Sequence, residues 1–343
     1  MTVIAVAMSG GADSMAAALL LSREGHQVMG LHFLTTPGAP VPPELLQAAR
    51  ALSIPLEVAD LSQGFDRHVI HSFAWAWRRG MTPNPCMACN RHVKFGLLAE
   101  TARRLGCSAL ATGHYARLSD APNGPRLFKG EDETRDQSYF LARVRRQDLG
   151  FVRFPLARLR KTRVKEILEK EGLLGLTKPE SRETCFAPEG DYPAFLERLW
   201  GGPLPPGDIV DPTGRVLGRH AGIHRYTPGQ RRGLGCPDAE PWYVTAVDAE
   251  NNRILVGRDQ DLFRREVRVR DVSWLCAPPK GPLEVAARLR YRQQEAPALL
   301  TPLDPEDVVL EFAEPQRAPA PGQGAVFFLG DRVLGGGYIR GEP

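Results

Sequence analysis

Hydrophobic positions in the first half of the chain alternate between two patterns. Val3 to Met8 is an unbroken apolar run with β-branched members, which predicts a strand buried on both faces. The run Met15 to Leu21 is rich in alanine and leucine and predicts a helix packed on that strand. The alternation continues with strands over 27–33, 56–60 and 109–113, and helices over 43–52, 64–79 and 93–105. Phe65, Val69, Phe73 and Trp77 recur at helical spacing and mark a core stripe rather than a stacking platform. Strands alternating with helices predict an α/β fold with a doubly wound parallel sheet, whose ligands sit beyond the carboxyl ends of the strands. A helix over 158–170 carries Arg158, Arg160, Lys161, Arg163 and Lys165 near its start, against its own dipole, which suits a phosphate partner or a solvated face. Past the Gly/Pro-rich linker at 201–207 the helical period disappears, and short strands are separated by Gly, Pro and Asn turns. The division predicted is 1–202 for the catalytic domain, 203–264 for a small β domain and 265–343 for a C-terminal β-barrel.

Composition narrows the class without naming a chemistry. With 343 residues, 43% hydrophobic and 24% charged, the chain reads as a soluble globular protein of more than one domain. No apolar run reaches membrane-spanning length and no signal peptide precedes the first strand, so a cytoplasmic protein is expected. A net charge of +4 is too mild to establish a nucleic-acid partner by itself. The six cysteines are expected to be thiols in that compartment, so close pairs suggest metal or redox chemistry.

Two stretches carry that chemistry. Between the first strand and helix, Ser9-Gly10-Gly11-Ala12-Asp13-Ser14 forms a turn whose bare amides approach an anion closely, with a helix N-terminus behind it. Ser9 and Ser14 offer hydroxyl donors, and Asp13 offers a helix cap or a magnesium ligand. The lysine of a Walker A loop is missing. The second stretch is Thr82-Pro83-Asn84-Pro85-Cys86-Met87-Ala88-Cys89-Asn90, where two prolines deliver the cysteines onto a turn just before a helix. A thiol at that place is expected to be acidified. The pair is too few for a structural zinc site, which needs four ligands. Cys185, in the segment Glu180 to Phe186, is the other thiol with a telling neighbourhood, whereas Cys107, Cys236 and Cys276 read as small core residues.

The Ser9-to-Ser14 loop resembles the pyrophosphate-binding loop of the ATP pyrophosphatase superfamily, with its adenine-nucleotide alpha-hydrolase-like domain. From end to end the chain resembles the bacterial tRNA-specific 2-thiouridylases. The segments that carry this include Thr82 to Phe95, Ala111 to Ala116, Asp136 to Leu141, Gly218-Arg219-His220, Thr227 to Gly235, Arg290 to Gln293 and Leu334 to Gly337. The resemblance implies ATP-dependent 2-thiolation of the wobble uridine in the anticodon stem-loop of tRNA. The uracil C2 oxygen is adenylated, and sulfur then comes from a cysteine persulfide loaded by a sulfur carrier. It implies Cys185 as the persulfide carrier and Cys89 as its partner in a transient disulfide. Ala7, Met8, Ser9, Gly10, Gly11, Ala12, Asp13, Ser14, Phe33 and Gly113 would contact ATP, with Mg2+. Asn84, Pro85 and Cys86 would line the target-base pocket, and His114, Arg135, Asp136, Gln137, Arg290, Tyr291 and Gln323 would meet the tRNA.

The chain departs from the pattern of that family at three places. Cys86 stands where many have Asp, so Cys86, Cys89 and Cys185 could instead ligate a [4Fe–4S] cluster. The loop 35–43 lacks the acidic, Trp-containing insertion usual there, and Phe33 replaces a Met. Two other classes compete: a different adenylating enzyme such as an amide-forming synthetase, which leaves both cysteines idle, and a non-catalytic RNA-binding protein, which predicts an eroded loop.

Overall fold

The computed structural model describes residues 2–178, 184–187 and 191–341, so residues 180–183 of the Cys185 segment lie outside it. The first unit is a five-stranded parallel sheet. Its strands are β1 (Val3–Ala7), β2 (Gln27–Leu34), β3 (Leu56–Asp60), β4 (Ala109–Ala111) and, beyond the hairpin below, β7 (Val152–Arg153), in the order β3-β2-β1-β4-β7. The unbroken apolar run of β1 has a direct cause: alternate residues feed two different cores. Ile4 and Val6 pack with Met15, Ala16 and Leu45 of helices α1 (Ala12–Arg23) and α2 (Pro43–Ala51). Ala5 packs on the other face with Phe95, Leu98 and Ala102. Helices therefore cover both faces, as a doubly wound sheet requires.

Two helical segments differ from the pattern in the sequence. Residues 62–78 are helical throughout with Phe65, Val69, Phe73 and Trp77 all buried, but Asp66–Ile70 is wound as a π-helix. The helix expected over 93–105 starts earlier, at Pro85, and runs to Arg104, with Cys89–Leu98 again in π winding. Asn84 caps it, its side chain accepting from the Cys86 amide at 3.2 Å, and Pro85 takes the first helical position, where its lost N–H costs nothing. The cysteine pair is thus inside the helix rather than on a turn before it. The basic helix is Lys161–Lys170, and its Lys161 is buried, not solvated. Cys107 is buried as expected, while Cys236 and Cys276 are partly exposed.

The second unit is a four-stranded sheet of β8 (Gly207–Val210), β9 (Val216–His220), β10 (Tyr243–Asp248) and β11 (Arg253–Gly257), around a core with Ile209, Trp242 and Ile254. The third is a closed six-stranded barrel of β12 (Phe263–Trp274), β13 (Leu283–Arg288), β14 (Ala296–Pro302), β15 (Val308–Arg317), β16 (Gly324–Leu329) and β17 (Arg332–Ile339). Closure is made by β12 pairing with both β15 and β17. A hairpin of β5 (Ala116–Ser119) and β6 (Arg126–Lys129) leaves the first unit and joins the barrel sheet beside β17. Leu127, Tyr139, Val326, Phe328 and Val333 consequently share one core with the parallel sheet. Among the described residues no helix is long and apolar enough to cross a membrane.

Candidate functional site

The loop after β1 turns at Gly10, whose φ of +82° lies in the left-handed region that suits glycine. Helix α1 begins at Ala12 with no side-chain cap on its first amides. The loop's polar groups lean on one another: Ser9 Oγ lies 3.4 Å from Ser14 Oγ, and the Gly11 amide donates to Ser9 Oγ at 3.4 Å. These contacts are long and weak, and a phosphate oxygen arriving at the loop would replace them at little cost. Asp13 Oδ1 accepts from Tyr115 Oη at 2.8 Å and from Lys161 Nζ at 2.7 Å. The end of β4 closes the loop from below, and a Cβ on Gly113 would stand 2.6 Å from the Asp13 carbonyl carbon. His32 beside Phe33 bonds the Met8 carbonyl through Nδ1 at 2.8 Å.

This loop lines a cavity of about 590 Å³. Ala7, Met8, Ser9, Asp13, Ser14, Phe33 and Gly113 line it together with Pro85, Cys86, Cys89, Cys185, His114 and Gln137. The Ser9–Ser14 loop and the thiols thus share one cavity, although Cys89 and Cys185 are far apart in sequence. Cys86 and Cys185 have accessible surface while Cys89 is buried. All three nevertheless sit among dense protein, and burial pushes each thiol up, Cys89 to about 12. Burial therefore outweighs the helix N-terminus, and the acidified thiol expected from the sequence is not found. The ammonium of Lys94 opposes this rise at all three sulfurs. Burial also holds the His114 imidazole well below its ordinary value, helped by Lys94, so the ring is neutral, with Nδ1 2.7 Å from Thr112 Oγ1. Among the described residues no group of three or more His, Cys, Asp or Glu is arranged to hold a metal ion. The three thiols as placed do not fit a [4Fe–4S] cluster.

Apart from Gln137, which lines the cavity, the remaining predicted tRNA-contacting residues are not part of its lining. Gln137 ties its side chain to the Tyr115 amide at 3.0 Å. Asp136 is buried, its carboxylate taken by the Gly130 and Ser138 amides, Ser138 Oγ and Arg288. Arg135 is exposed next to it. Arg290 donates to the Pro228 and Ala318 carbonyls, both at 2.9 Å, bridging the second and third units. Tyr291 packs on Phe140 with ring centroids 4.3 Å apart. Gln323 Nε2 donates to the Thr82 carbonyl at 2.9 Å, and the Thr82 amide donates to the Pro321 carbonyl at 2.7 Å. The Thr82 hydroxyl meets that of Thr227 in the second unit. Both distal units thus grip the segment that leads into Cys86 and Cys89.

Sequence reading singled out neither Lys94 nor Lys178. Lys94 stands five residues after Cys89, which α-helical winding would swing about 140° away. In π winding the i→i+5 bond brings such residues together. Lys161 was visible only as one of a basic cluster. Lys178, whose amide donates to the Gly10 carbonyl at 2.9 Å, left no signal at all.

Family comparisons agree with this arrangement. A family model described as the tRNA methyl transferase HUP domain matches residues 2–189, a PRC-barrel model of the same series matches 194–258, and an aminomethyltransferase beta-barrel model matches 264–339. The tRNA-specific 2-thiouridylase MnmA of Desulfosudis oleivorans is 45% identical over 99% of this chain and 95% of its own. Those of Syntrophotalea carbinolica and Geobacter metallireducens are 43% and 41% identical, each over 98% of this chain and 98% and 96% of their own. The chain belongs to the tRNA-specific 2-thiouridylase family.

Proposed function

We propose that the protein is an ATP-dependent tRNA-uridine 2-sulfurtransferase acting on the wobble uridine. The observation that carries this is a single cavity lined both by the loop at Ser9–Ser14 and by the three thiols Cys86, Cys89 and Cys185. A carbonyl oxygen at C2 is a poor leaving group, so it must first be activated. The uracil O2 attacks the α-phosphorus of ATP, pyrophosphate leaves, and an adenylate forms. The terminal sulfur of a Cys185 persulfide attacks C2, and AMP departs with the bonding pair. Cys89 then attacks the Cys185 sulfur; the S–S bond breaks, one sulfur stays on C2, and a Cys89–Cys185 disulfide forms. A reductant returns that disulfide to thiols, and a persulfide-donating carrier protein reloads Cys185.

In this reading Ala7 to Ser14, Phe33 and Gly113 hold ATP. Asp13, whose Oδ1 is paired with Lys161, is the loop carboxylate that would meet a magnesium ion carried on the nucleotide's phosphates. Asn84, Pro85 and Cys86 line the base pocket that receives the flipped uridine. His114, Arg135, Gln137, Arg290, Tyr291 and Gln323 serve the tRNA, directly or by fixing the segments that touch it, and Asp136 acts through the backbone it anchors. A tRNA substrate makes the cytoplasm the working compartment.

The test is thiolation of an unmodified tRNA transcript with ATP and a persulfide donor. Cys89→Ser and Cys185→Ser should each abolish 2-thiouridine formation while tRNA-dependent pyrophosphate release continues. Full activity in either variant would refute the two-thiol assignment.

A further inference from the structure

The loop at residues 9–14 carries no lysine. A triphosphate brings several negative charges, whereas a helix N-terminus offers the equivalent of about half a positive one. The nearest acid works against binding, and Lys161 serves to neutralise it, at 2.7 Å from Asp13. The site therefore needs a further cation at the loop.

Lys178 meets that need. Its amide donates to the Gly10 carbonyl at 2.9 Å, and Gly11 and Lys178 form an isolated parallel β-bridge. Its side chain lies against Gly10, with Cε 3.3 Å from where a Cβ on Gly10 would stand, and it lines the same cavity as Ser9, Asp13 and Ser14. The backbone bridge fixes where the side chain starts, so its ammonium is delivered to the loop from a point 164 residues past Ser14 in sequence. The charge reaches the Met8–His32 contact, where Lys178 helps hold the imidazole down, after burial. Lysine is a compact point charge on a flexible stem, suited to following phosphate oxygens as they leave.

We propose that Lys178 is the phosphate-binding lysine of this site, pairing with the β- and γ-phosphates of ATP and then with the departing pyrophosphate. The proposal rests on the reading of the cavity as an ATP site. It makes Gly10 doubly constrained, by its left-handed backbone and by the lysine lying across it.

The experiment compares ligand affinities of the full-length protein by calorimetry. In Lys178→Met, ATP and pyrophosphate should bind about 10- to 100-fold more weakly, the range of one charge-assisted hydrogen bond. AMP and adenosine should stay within about twofold of the unaltered protein, and Lys178→Arg should recover part of the ATP affinity. Loss of AMP binding equal to that of ATP, or ATP affinity unchanged in Lys178→Met, would overturn the assignment. Amine acylation of the unaltered protein, read by mass spectrometry, gives the same answer without a substitution: ATP and pyrophosphate should protect Lys178, and adenosine should not. Acylation undiminished in ATP-saturated protein would also overturn it. If the unaltered protein binds neither ATP nor pyrophosphate, the ATP-site reading falls first and Lys178 with it.

Discussion

Lys94 and the three cavity thiols form a small electrostatic system whose direction can be worked out. Burial raises each sulfur and the lysine lowers it, so removing the charge in Lys94→Met moves the thiols higher still. One lost opposite charge is worth on the order of one pH unit. At neutral pH that leaves about tenfold less thiolate, each about threefold more nucleophilic, for a net loss of roughly threefold. Iodoacetamide alkylation of Cys185 should therefore slow about threefold near pH 7.5 in Lys94→Met. It should recover in alkali, with Lys94→Arg close to the unaltered protein. Superimposable pH profiles for Lys94→Met and the unaltered protein would show that the lysine does not govern the sulfurs. The residues of the glycine loop were legible because their order along the chain is their order in space. Lys94 was not, because its side of the helix depends on winding that no periodicity rule anticipates.

At the scale of elements, the meeting of β4 with α1 sets how well the nucleotide loop is formed. A methyl group on Gly113 would lie 2.8 Å from both the Cβ and the carbonyl oxygen of Asp13, atoms that cannot rotate away. Gly113→Ala should cost about 1–3 kcal/mol of stability by overpacking and weaken ATP binding as α1 shifts. Urea melts and nucleotide titrations would measure the two effects, and an unchanged ATP affinity would mean that α1 tolerates the displacement. The strands and helices of the parallel sheet could be read from the chain because β1, α1 and β2 announce themselves by apolar runs and local periodicity. The β5–β6 hairpin did not, since its strands are only four residues each and β6 pairs with Arg332 about 200 residues away. The early start of the cysteine helix was missed because two prolines looked like a barrier when one of them was its first residue.

For the whole molecule, the decisive feature is a core that crosses the boundary between the parallel sheet and the barrel. Phe328 belongs to a barrel strand, is fully buried, and packs in the cluster that holds Leu110 and Phe95. Phe328→Ala should cost about 3–5 kcal/mol and lower the melting of both units together in one calorimetric transition. A variant that melted in two steps, with the sheet unit unmoved, would contradict the shared core. The change from helical to short-strand pattern after residue 202 revealed that the chain has a β-rich second half, but pairings between its halves are non-local and leave no trace in either pattern.

The grip on Thr82 follows from the same arrangement. Its amide and carbonyl are held from the barrel and its hydroxyl from the second unit, and the chain runs from there directly into Cys86 and Cys89. If the substrate of the proposed reaction leans on those outer units, any tilt it imposes is levered onto the cysteines through a few peptide bonds. Docking far from the pocket would then be a mechanical input to the chemistry.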